Sequence, residues 1–135
     1  MPVALEIVSP DKLLLSRPVE MVVLPAAEGE MGVLPGHAPM IVLLRGGTIS
    51  LYENGSVTER LYVAGGFAEV TTERCTVLAT EVLPVGEVSR AVGERRLADA
   101  EAAYAGADKN DVVTLDAIMD RIQSARAMIE AAGAA

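Results

Sequence analysis

The sequence is short of cysteine, histidine and basic residues, and each shortage argues against a kind of site. Cys75 and His37 are the only residues of their types among 135. This excludes an internal disulfide and a zinc cage of Cys and His ligands. Lys and Arg number 11 against 19 Asp and Glu, for a net charge of −8. Nucleic acids and anionic lipids both require a basic surface, so neither is an expected partner.

Long hydrophobic runs are absent as well. The longest run of large aliphatic side chains covers residues 40–44, whereas a membrane helix needs about 20 apolar residues. The first residues carry neither the basic nor the apolar stretch of a secretion signal. We therefore expect a cytosolic chain with no direct membrane insertion. Its 51% of hydrophobic residues and mean hydropathy of +0.36 exclude intrinsic disorder.

The composition of the chain changes near residue 85. Residues 1–84 contain 12 Val and 7 Ala, and residues 85–135 contain 5 Val and 14 Ala. Val favours the pleated surface of a sheet, whereas Ala is the strongest helix former. The change predicts a β domain over residues 1–85 and a helical domain over residues 86–135.

Short alternating segments separated by turn residues predict an antiparallel β-sandwich or barrel in the first part. Asn54-Gly55 predicts a two-residue hairpin turn, because both residues accept positive φ angles. Phe67 is expected to be the single aromatic residue of the core, with Val, Leu and Ile filling the remaining space. The alternation predicts three sets of residues that share a face: Val3, Leu5 and Ile7; Val19, Met21 and Val23; Ile49 and Leu51.

The second part predicts an antiparallel pair of helices. The first is expected over residues 88–105, and Thr114 is the expected N-cap of the second. Its large seam residues are few for a unit of this size, so we expect the hairpin to rest on the sandwich or on a partner. The predicted contact positions are Ala91, Ala98, Ala102 and Ala105 in the first helix, and a seam of Leu115, Ile118, Ile122, Ala125, Ile129 and Ala132 in the second.

No catalytic arrangement is recognisable in the sequence. It has neither the Gly-Lys pair of a phosphate-binding loop nor a Gly-x-Ser-x-Gly segment. Cys75 is expected to be a buried strand residue, and His37 a hydrogen-bonded turn residue. Glu28 and Glu30 are expected in a tightly shaped loop, where they are either solvated or part of a contact surface. The sequence therefore predicts no catalytic residue, cofactor or metal ion.

Three segments carry a resemblance to a known family. They are LEIVSP at residues 5–10, EGEMGVLPGHAP at 28–39 and VAGGFAEV at 63–70. In order and spacing they resemble the epsilon subunit family of bacterial F-type ATP synthases, the counterpart of the mitochondrial delta subunit. The resemblance implies a flattened antiparallel β-sandwich of about ten strands, followed by an antiparallel two-helix hairpin.

The resemblance also implies a place and a role. One copy is expected at the foot of the central stalk, between the gamma subunit and the c-subunit ring, at the cytoplasmic face of the bacterial inner membrane. Such a subunit has no catalysis of its own. It couples rotation of the c ring through gamma to ATP synthesis in the alpha/beta assembly, and in many relatives its helices extend to restrain ATP hydrolysis.

The resemblance assigns expected contacts to particular residues. By analogy with the family, Gly65 and Gly66 lie near the face that binds gamma. The C-terminal helices are the expected contact with the alpha and beta subunits. The expected contacts with the c ring are Glu28, Glu30, Met31 and His37.

Two questions stay open in the sequence. Some relatives bind ATP through an Ile/Leu-Asp-x-x-Arg-Ala segment. Here Leu115-Asp116 is followed three residues on by Met119-Asp120 in place of Arg-Ala, so we expect no ATP site. The alternative function is a free-standing β-sandwich that binds a small ligand between the sandwich and the hairpin.

Overall fold

The computed structural model describes residues 2–133, which form ten β-strands followed by two α-helices. This confirms the predicted order of a β-sandwich and a helical hairpin; a domain boundary at residue 85 stays a prediction. A 3₁₀ turn at Val85–Glu87 leads to α1 (Arg90–Gly106) and α2 (Val112–Gly133). The strands are β1 (Val3–Val8), β2 (Leu13–Val19), β3 (Met21–Ala26), β4 (Gly29–Val33), β5 (Met40–Leu44), β6 (Gly47–Glu53), β7 (Ser56–Val63), β8 (Gly66–Val70), β9 (Arg74–Leu78) and β10 (Val82–Pro84).

Hydrogen bonds join the ten strands into one sheet that curls on itself. The strand order is β10-β7-β6-β3-β5-β8-β9-β1-β2, with β4 paired to β3. β1 and β2 lie against β3 and β6, so the curled sheet forms two layers around one core. The pairs are antiparallel except β1 and β9, which run parallel. Parallel strands are joined by a long crossover connection, so no local sequence pattern predicts that β1 pairs with β9.

Inward-facing aliphatic side chains fill the space between the layers. Val3, Leu5 and Ile7 of β1 are at most 2% exposed, and Ile49 and Leu51 of β6 are fully buried. These two sets confirm the predicted alternation, in which every second side chain points to the same face. Cys75 of β9 is also fully buried, as predicted.

The third predicted set was wrong. Val19 is buried, but Met21 and Val23 are only half-buried. Glu20 lies between β2 and β3, so the alternation does not continue from one strand into the next. The inward face of β3 instead carries Val22 and Leu24, both fully buried.

The predicted turn at Asn54-Gly55 is confirmed. Asn54 has a φ of 55° and Gly55 a φ of 77°, the positive values that a two-residue hairpin turn requires. The turn joins β6 to β7, whose outer face lies beneath α2.

The prediction for Phe67 was wrong. Its side chain is 47% exposed, whereas Tyr62 of β7 is only 1% exposed. Phe67 precedes two inward-facing residues of β8, Ala68 and Val70, and shares the outer face with Glu69. Tyr62 does not belong to the sandwich core; it is covered by α2.

The helices begin at polar caps. The Ser89 side chain accepts a hydrogen bond from the N–H of Val92 and caps α1. Asp111 caps α2, because its carboxylate accepts hydrogen bonds from the N–H and the hydroxyl of Thr114. The predicted N-cap at Thr114 was therefore placed three residues too late. Among residues 2–133, no helix is long and apolar enough to cross a membrane.

The predicted contact face of α1 was also wrong. All four predicted alanines, at positions 91, 98, 102 and 105, are exposed. The helix instead buries Gly93 and Ala100, with Leu97 and Ala103 half-buried beside them. In an Ala-rich helix several faces carry small apolar side chains, so periodicity alone does not select one of them.

The predicted seam lies on a helix, α2, that packs against both α1 and the sandwich. Ile118, Ile122 and Ala125 are buried, and Leu115, Ile129 and Ala132 are half-buried. Two further residues, Met128 and Ala131, are at most 2% exposed. They pack with Tyr62 and Val85, so α2 contacts the sandwich side as well as α1.

Candidate functional site

The helical hairpin is docked on the sandwich through α2, and this junction is the first candidate site. α2 lies against β6, β7 and the 3₁₀ turn. Gly46, just before β6, donates its N–H to the side-chain oxygen of Gln123 at 2.8 Å, and its carbonyl accepts from the Gln123 side-chain nitrogen at 2.6 Å. The side-chain amide of Gln123 thus pairs with the backbone of Gly46 as one strand pairs with another.

Gly46 permits a close approach of backbone to backbone. A Cβ atom at this position would lie 2.6 Å from the Cα of Ser124 and 2.8 Å from its hydroxyl oxygen. Any other residue there would push α2 away from the sheet, because the atom in the way belongs to the helix backbone. The requirement is steric: no positive φ is involved at Gly46.

Tyr62 forms the centre of the junction. Its hydroxyl donates to the backbone oxygen of Ser124 at 3.0 Å, and its ring packs with Val85, Met128 and Ala131. The pKa of Tyr62 is raised to about 12, mainly by burial; the nearby Glu81 also raises it, and Arg96 lowers it. Tyr62 is therefore neutral under ordinary conditions and available as a donor.

A two-pronged ion pair closes one side of the junction. Arg96 of α1 donates to both carboxylate oxygens of Glu81, at 2.6 and 2.9 Å. Hydrogen bonding to Glu81 is the main cause that raises the pKa of Arg96. Both groups remain partly exposed, and such pairs contribute at most about 1 kcal/mol. This pair orients α1 more than it stabilises the docked state.

The second candidate site is the segment from Glu28 to His37, and the prediction that it forms one loop was wrong. Residues 29–33 form strand β4, paired antiparallel with β3. Glu28 lies at the β3–β4 turn, whereas His37 follows the far end of β4. At about 3.4 Å per residue, the strand separates these two side chains by roughly 17 Å.

The four residues expected at the c ring therefore have different surroundings. Glu28 and Glu30 are exposed, and Glu30 faces a groove beside α2. Met31 is half-buried against the sandwich core. The ring nitrogen Nδ1 of His37 lies 2.8 Å from the carbonyl oxygen of Ala38, consistent with the predicted hydrogen-bonded turn.

Gly65 and Gly66 have a structural reason for their identity. Their φ angles are 146° and 133°, a region that residues with a Cβ rarely adopt. A Cβ at Gly66 would also overlap the carbonyl oxygen of Leu78. The pair fixes the start of β8, whose outer face carries Phe67.

An exposed apolar patch, which was not predicted from the sequence, lies on the outer face of β5 and β8. It consists of Ile41, Leu43 and Phe67, which are 72%, 67% and 47% exposed. Leu43 lies directly opposite Phe67 in the sheet, so the three side chains are neighbours. Contiguous exposed apolar side chains mark interaction surfaces. One feature of the sequence could have indicated that Phe67 is exposed: it lies two residues before Glu69, and residues two apart in a strand share a face.

Reactive groups are scarce in the part of the chain that the structure describes. Residues 2–133 contain no cluster of three or more His, Cys, Asp or Glu side chains suited to a metal ion. Burial raises the pKa of the Cys75 thiol to about 11, so the thiolate, which is the reactive form, is scarce at neutral pH.

Comparisons with known proteins agree on one family. Residues 2–85 match the family described as "ATP synthase, Delta/Epsilon chain, beta-sandwich domain". The chain is 72% identical over 129 residues to the "ATP synthase epsilon chain" of Granulibacter bethesdensis, covering 96% of both chains. It is 50% identical over 133 residues to the protein of the same name from Gluconacetobacter diazotrophicus, covering 98% of this chain and 94% of that one.

The fold has counterparts among solved structures. A chain in the mitochondrial ATP synthase OSCP/F1/c-ring assembly of Euglena gracilis is similar with a TM-score of 0.78 at 23% identity. That similarity covers 96% of this chain and 81% of the other. A chain in the central stalk and c-ring assembly of the Tetrahymena thermophila ATP synthase is similar with a TM-score of 0.66 at 12% identity. At these identities the similarity shows the fold alone.

Proposed function

The chain belongs to the ATP synthase delta/epsilon family, and we propose that it is a central-stalk subunit of a proton-translocating F-type ATP synthase. The observation that carries the proposal is the 72% identity to an epsilon chain over 96% of both chains. One copy couples rotation of the c ring through gamma to ATP synthesis in the alpha/beta assembly. The subunit is accessory, with no catalytic residue of its own. It lies at the cytoplasmic face of the bacterial inner membrane, peripheral through the complex.

We propose that gamma binds the patch of Ile41, Leu43 and Phe67. A rotor subunit must transmit torque through a stable contact, and three exposed apolar side chains on a rigid sheet offer one. Gly65 and Gly66 contribute by holding the start of β8 in place. The two glycines thus shape the surface that binds gamma without supplying side-chain contacts.

We further propose that the c ring meets the segment from Glu28 to His37. Glu28 and Glu30 supply exposed carboxylates, and His37 supplies a half-buried ring at the other end of β4. Met31 supports the strand from the core side. The helical hairpin is the candidate regulatory element, through contacts of its helices with the alpha and beta subunits.

Co-purification tests the assignment. The tagged chain, isolated from detergent-solubilised membranes of its source bacterium, should carry the alpha, beta, gamma and c subunits. Recovery of the chain alone, in the soluble fraction only, would contradict the proposal and favour a free-standing ligand-binding sandwich.

A pair of matched variants tests the gamma surface. Leu43→Asp places a charge in the centre of the patch and should abolish co-purification with co-expressed gamma. Leu34→Asp is the control, because Leu34 is similarly exposed, at 55% against 67% for Leu43, but lies outside the patch. Equal binding by both variants would remove the patch from the interface.

A further inference from the structure

The turn between β6 and β7 places an asparagine directly before a glycine at the surface of the sandwich. Asn54 and Gly55 are both exposed, and the chain contains only one other asparagine, Asn110. Asparagine is chemically labile, most of all before glycine, because glycine has no Cβ to hinder attack by its own backbone nitrogen. The turn belongs to neither the proposed gamma surface nor the proposed c-ring segment.

The reaction to which such a pair is prone joins two neighbouring groups. Hydroxide removes the proton of the Gly55 N–H, and the nitrogen attacks the side-chain carbonyl carbon of Asn54. A new C–N bond closes a succinimide ring while the bond to the side-chain nitrogen breaks, and that nitrogen takes a proton from water and leaves as ammonia. Water then opens the ring at either of its carbonyls, which gives aspartate or isoaspartate. No electrons are transferred, and the only co-reactants are hydroxide and water.

A carboxylate holds the attacking nitrogen of this turn. The N–H of Gly55 donates to Oε1 of Glu20 at 3.0 Å. Glu20 is kept beside the turn by its own backbone, because its N–H donates to the carbonyl oxygen of Tyr52 at 2.9 Å. The contact joins residues that are 35 positions apart in the sequence, so it forms only when the sandwich is folded.

This contact opposes the first step of the reaction. A deprotonated Gly55 nitrogen would be an anion beside the Glu20 carboxylate, and like charges at so short a distance repel each other. Loss of the proton also removes a hydrogen bond to a charged acceptor, which is stronger than one between neutral groups. The carboxylate does not assist as a general base, because it is far too weak a base to take a proton from a backbone amide.

We propose that Asn54 is a latent deamidation site and that Glu20 protects it while the sandwich is folded. The aspartate product keeps the turn, since Asp-Gly also accepts the positive φ angles that the turn requires. The isoaspartate product does not, because its additional main-chain carbon disturbs the pairing of Glu53 with Ser56. Both products place a further carboxylate next to Glu53. The proposal goes beyond the stalk function, and it is testable on the isolated full chain.

Incubation of the full chain above neutral pH, followed by mass spectrometry of its peptides, tests the site. Deamidation replaces NH2 with OH, and the peptide that contains Asn54 should gain the corresponding mass. Glu20→Ala should accelerate this conversion at least about tenfold, the effect of losing a hydrogen bond to a charged group. Glu20→Gln should accelerate it less, because its amide oxygen still accepts. The peptide that contains Asn110 is the internal reference.

Glu73→Ala is the matched control for the loss of a carboxylate. Glu73 is also exposed and also lies between two strands, β8 and β9, but Gly55 donates to Glu20. This variant should change the rate at Asn54 less than about twofold. Equal rates in Glu20→Ala and Glu73→Ala would overturn the proposal.

The unfolded chain separates the effect of the carboxylate from that of the local sequence. In guanidinium chloride the wild type and Glu20→Ala should deamidate at the same rate, at least about tenfold faster than the folded wild type. Equal rates in the folded and unfolded wild type would show that Asn54 is not protected, and a difference between the unfolded variants would assign the effect to local sequence; either result rejects the proposal. Circular dichroism checks that each variant folds, and Glu20→Gln, which keeps the side-chain shape, decides if Glu20→Ala does not.

Discussion

Replacing Gly46 with valine should detach the helical hairpin while leaving the sandwich folded. The added Cβ would stand 2.6 Å from the Cα of Ser124, whereas carbon atoms pack at about 3.5–4.0 Å. α2 must therefore retreat by roughly 1 Å. That displacement stretches the two hydrogen bonds between Gly46 and Gln123, now 2.6 and 2.8 Å, beyond bonding distance.

The magnitude follows from these two effects. Overpacking costs about 1–3 kcal/mol, and each lost hydrogen bond about 0.5–1.5 kcal/mol. Together they weaken docking by about 2–6 kcal/mol. Because each 1.4 kcal/mol is a factor of ten, exchange of amides in α2 that open through undocking should accelerate at least about 30-fold.

Hydrogen exchange measured by mass spectrometry reads this outcome segment by segment. Peptides from α2 should exchange faster, while those from β1 should not change. Gly86→Ala is the control, since a Cβ at Gly86 meets no atom within 4 Å. Unchanged exchange in α2, or equally faster exchange in β1, would refute the reasoning that Gly46 acts on the docked arm alone.

Four further predictions concern the same elements. Tyr62→Phe should weaken docking by about 1 kcal/mol, because the hydrogen bond to Ser124 is lost. The pKa of Tyr62 is raised from 10 to about 12, so docking of the wild type, measured by exchange, should be complete below pH 10 and fall towards pH 12. The variant should show a smaller fall. Gly36→Val forces a β-branched residue to a φ of 82°, costing about 1–3 kcal/mol, and should lower ATP-driven proton pumping in membranes if that turn meets the c ring. Ile122→Asp buries a charge between the helices, so exchange should accelerate only beyond residue 87. Truncation after Pro84 should leave a β-type circular dichroism spectrum and a cooperative melt; an unfolded product would show that the hairpin completes the core.

Strand patterns could be predicted from the sequence because they are local. Alternation in β1 and β6 and the Asn54-Gly55 turn depend on neighbours within a few residues, and the structure confirms them. The prediction for Phe67 was wrong for a different reason. A large aromatic ring was assigned to the core by its size, although its spacing from Glu69 places it on the outer face of β8. In this strand, the position of a residue in the alternation, rather than its hydrophobicity, decides which face its side chain occupies.

The candidate sites depended on contacts between distant residues, and those were not predictable. Gly46 and Ser124 are separated by most of the chain, and nothing near Gly46 shows that a helix will lie on it. Met128 was missed because the seam pattern describes one partner for α2, while the helix packs on two. The segment from Glu28 to His37 was assigned to a loop for its glycines, yet the pairing of β3 with β4 accommodates Gly29 and Gly32 in a strand. Gly36 alone lies in a turn.

The composition of the docking junction indicates how easily the arm can separate. Its polar part includes the two hydrogen bonds between Gly46 and Gln123 and the bond from Tyr62 to Ser124. The Ser124 hydroxyl also donates to the carbonyl of Ala64. Water can replace each of these bonds at a net cost of about 1 kcal/mol. Its apolar part is small, with Met128 as the largest side chain that α2 inserts against Tyr62. Within residues 2–133 the sandwich core, by contrast, contains no buried polar side chain. The docked and undocked states of the arm should therefore differ by only a few kcal/mol, which is the range in which binding of a partner can shift the population from one state to the other.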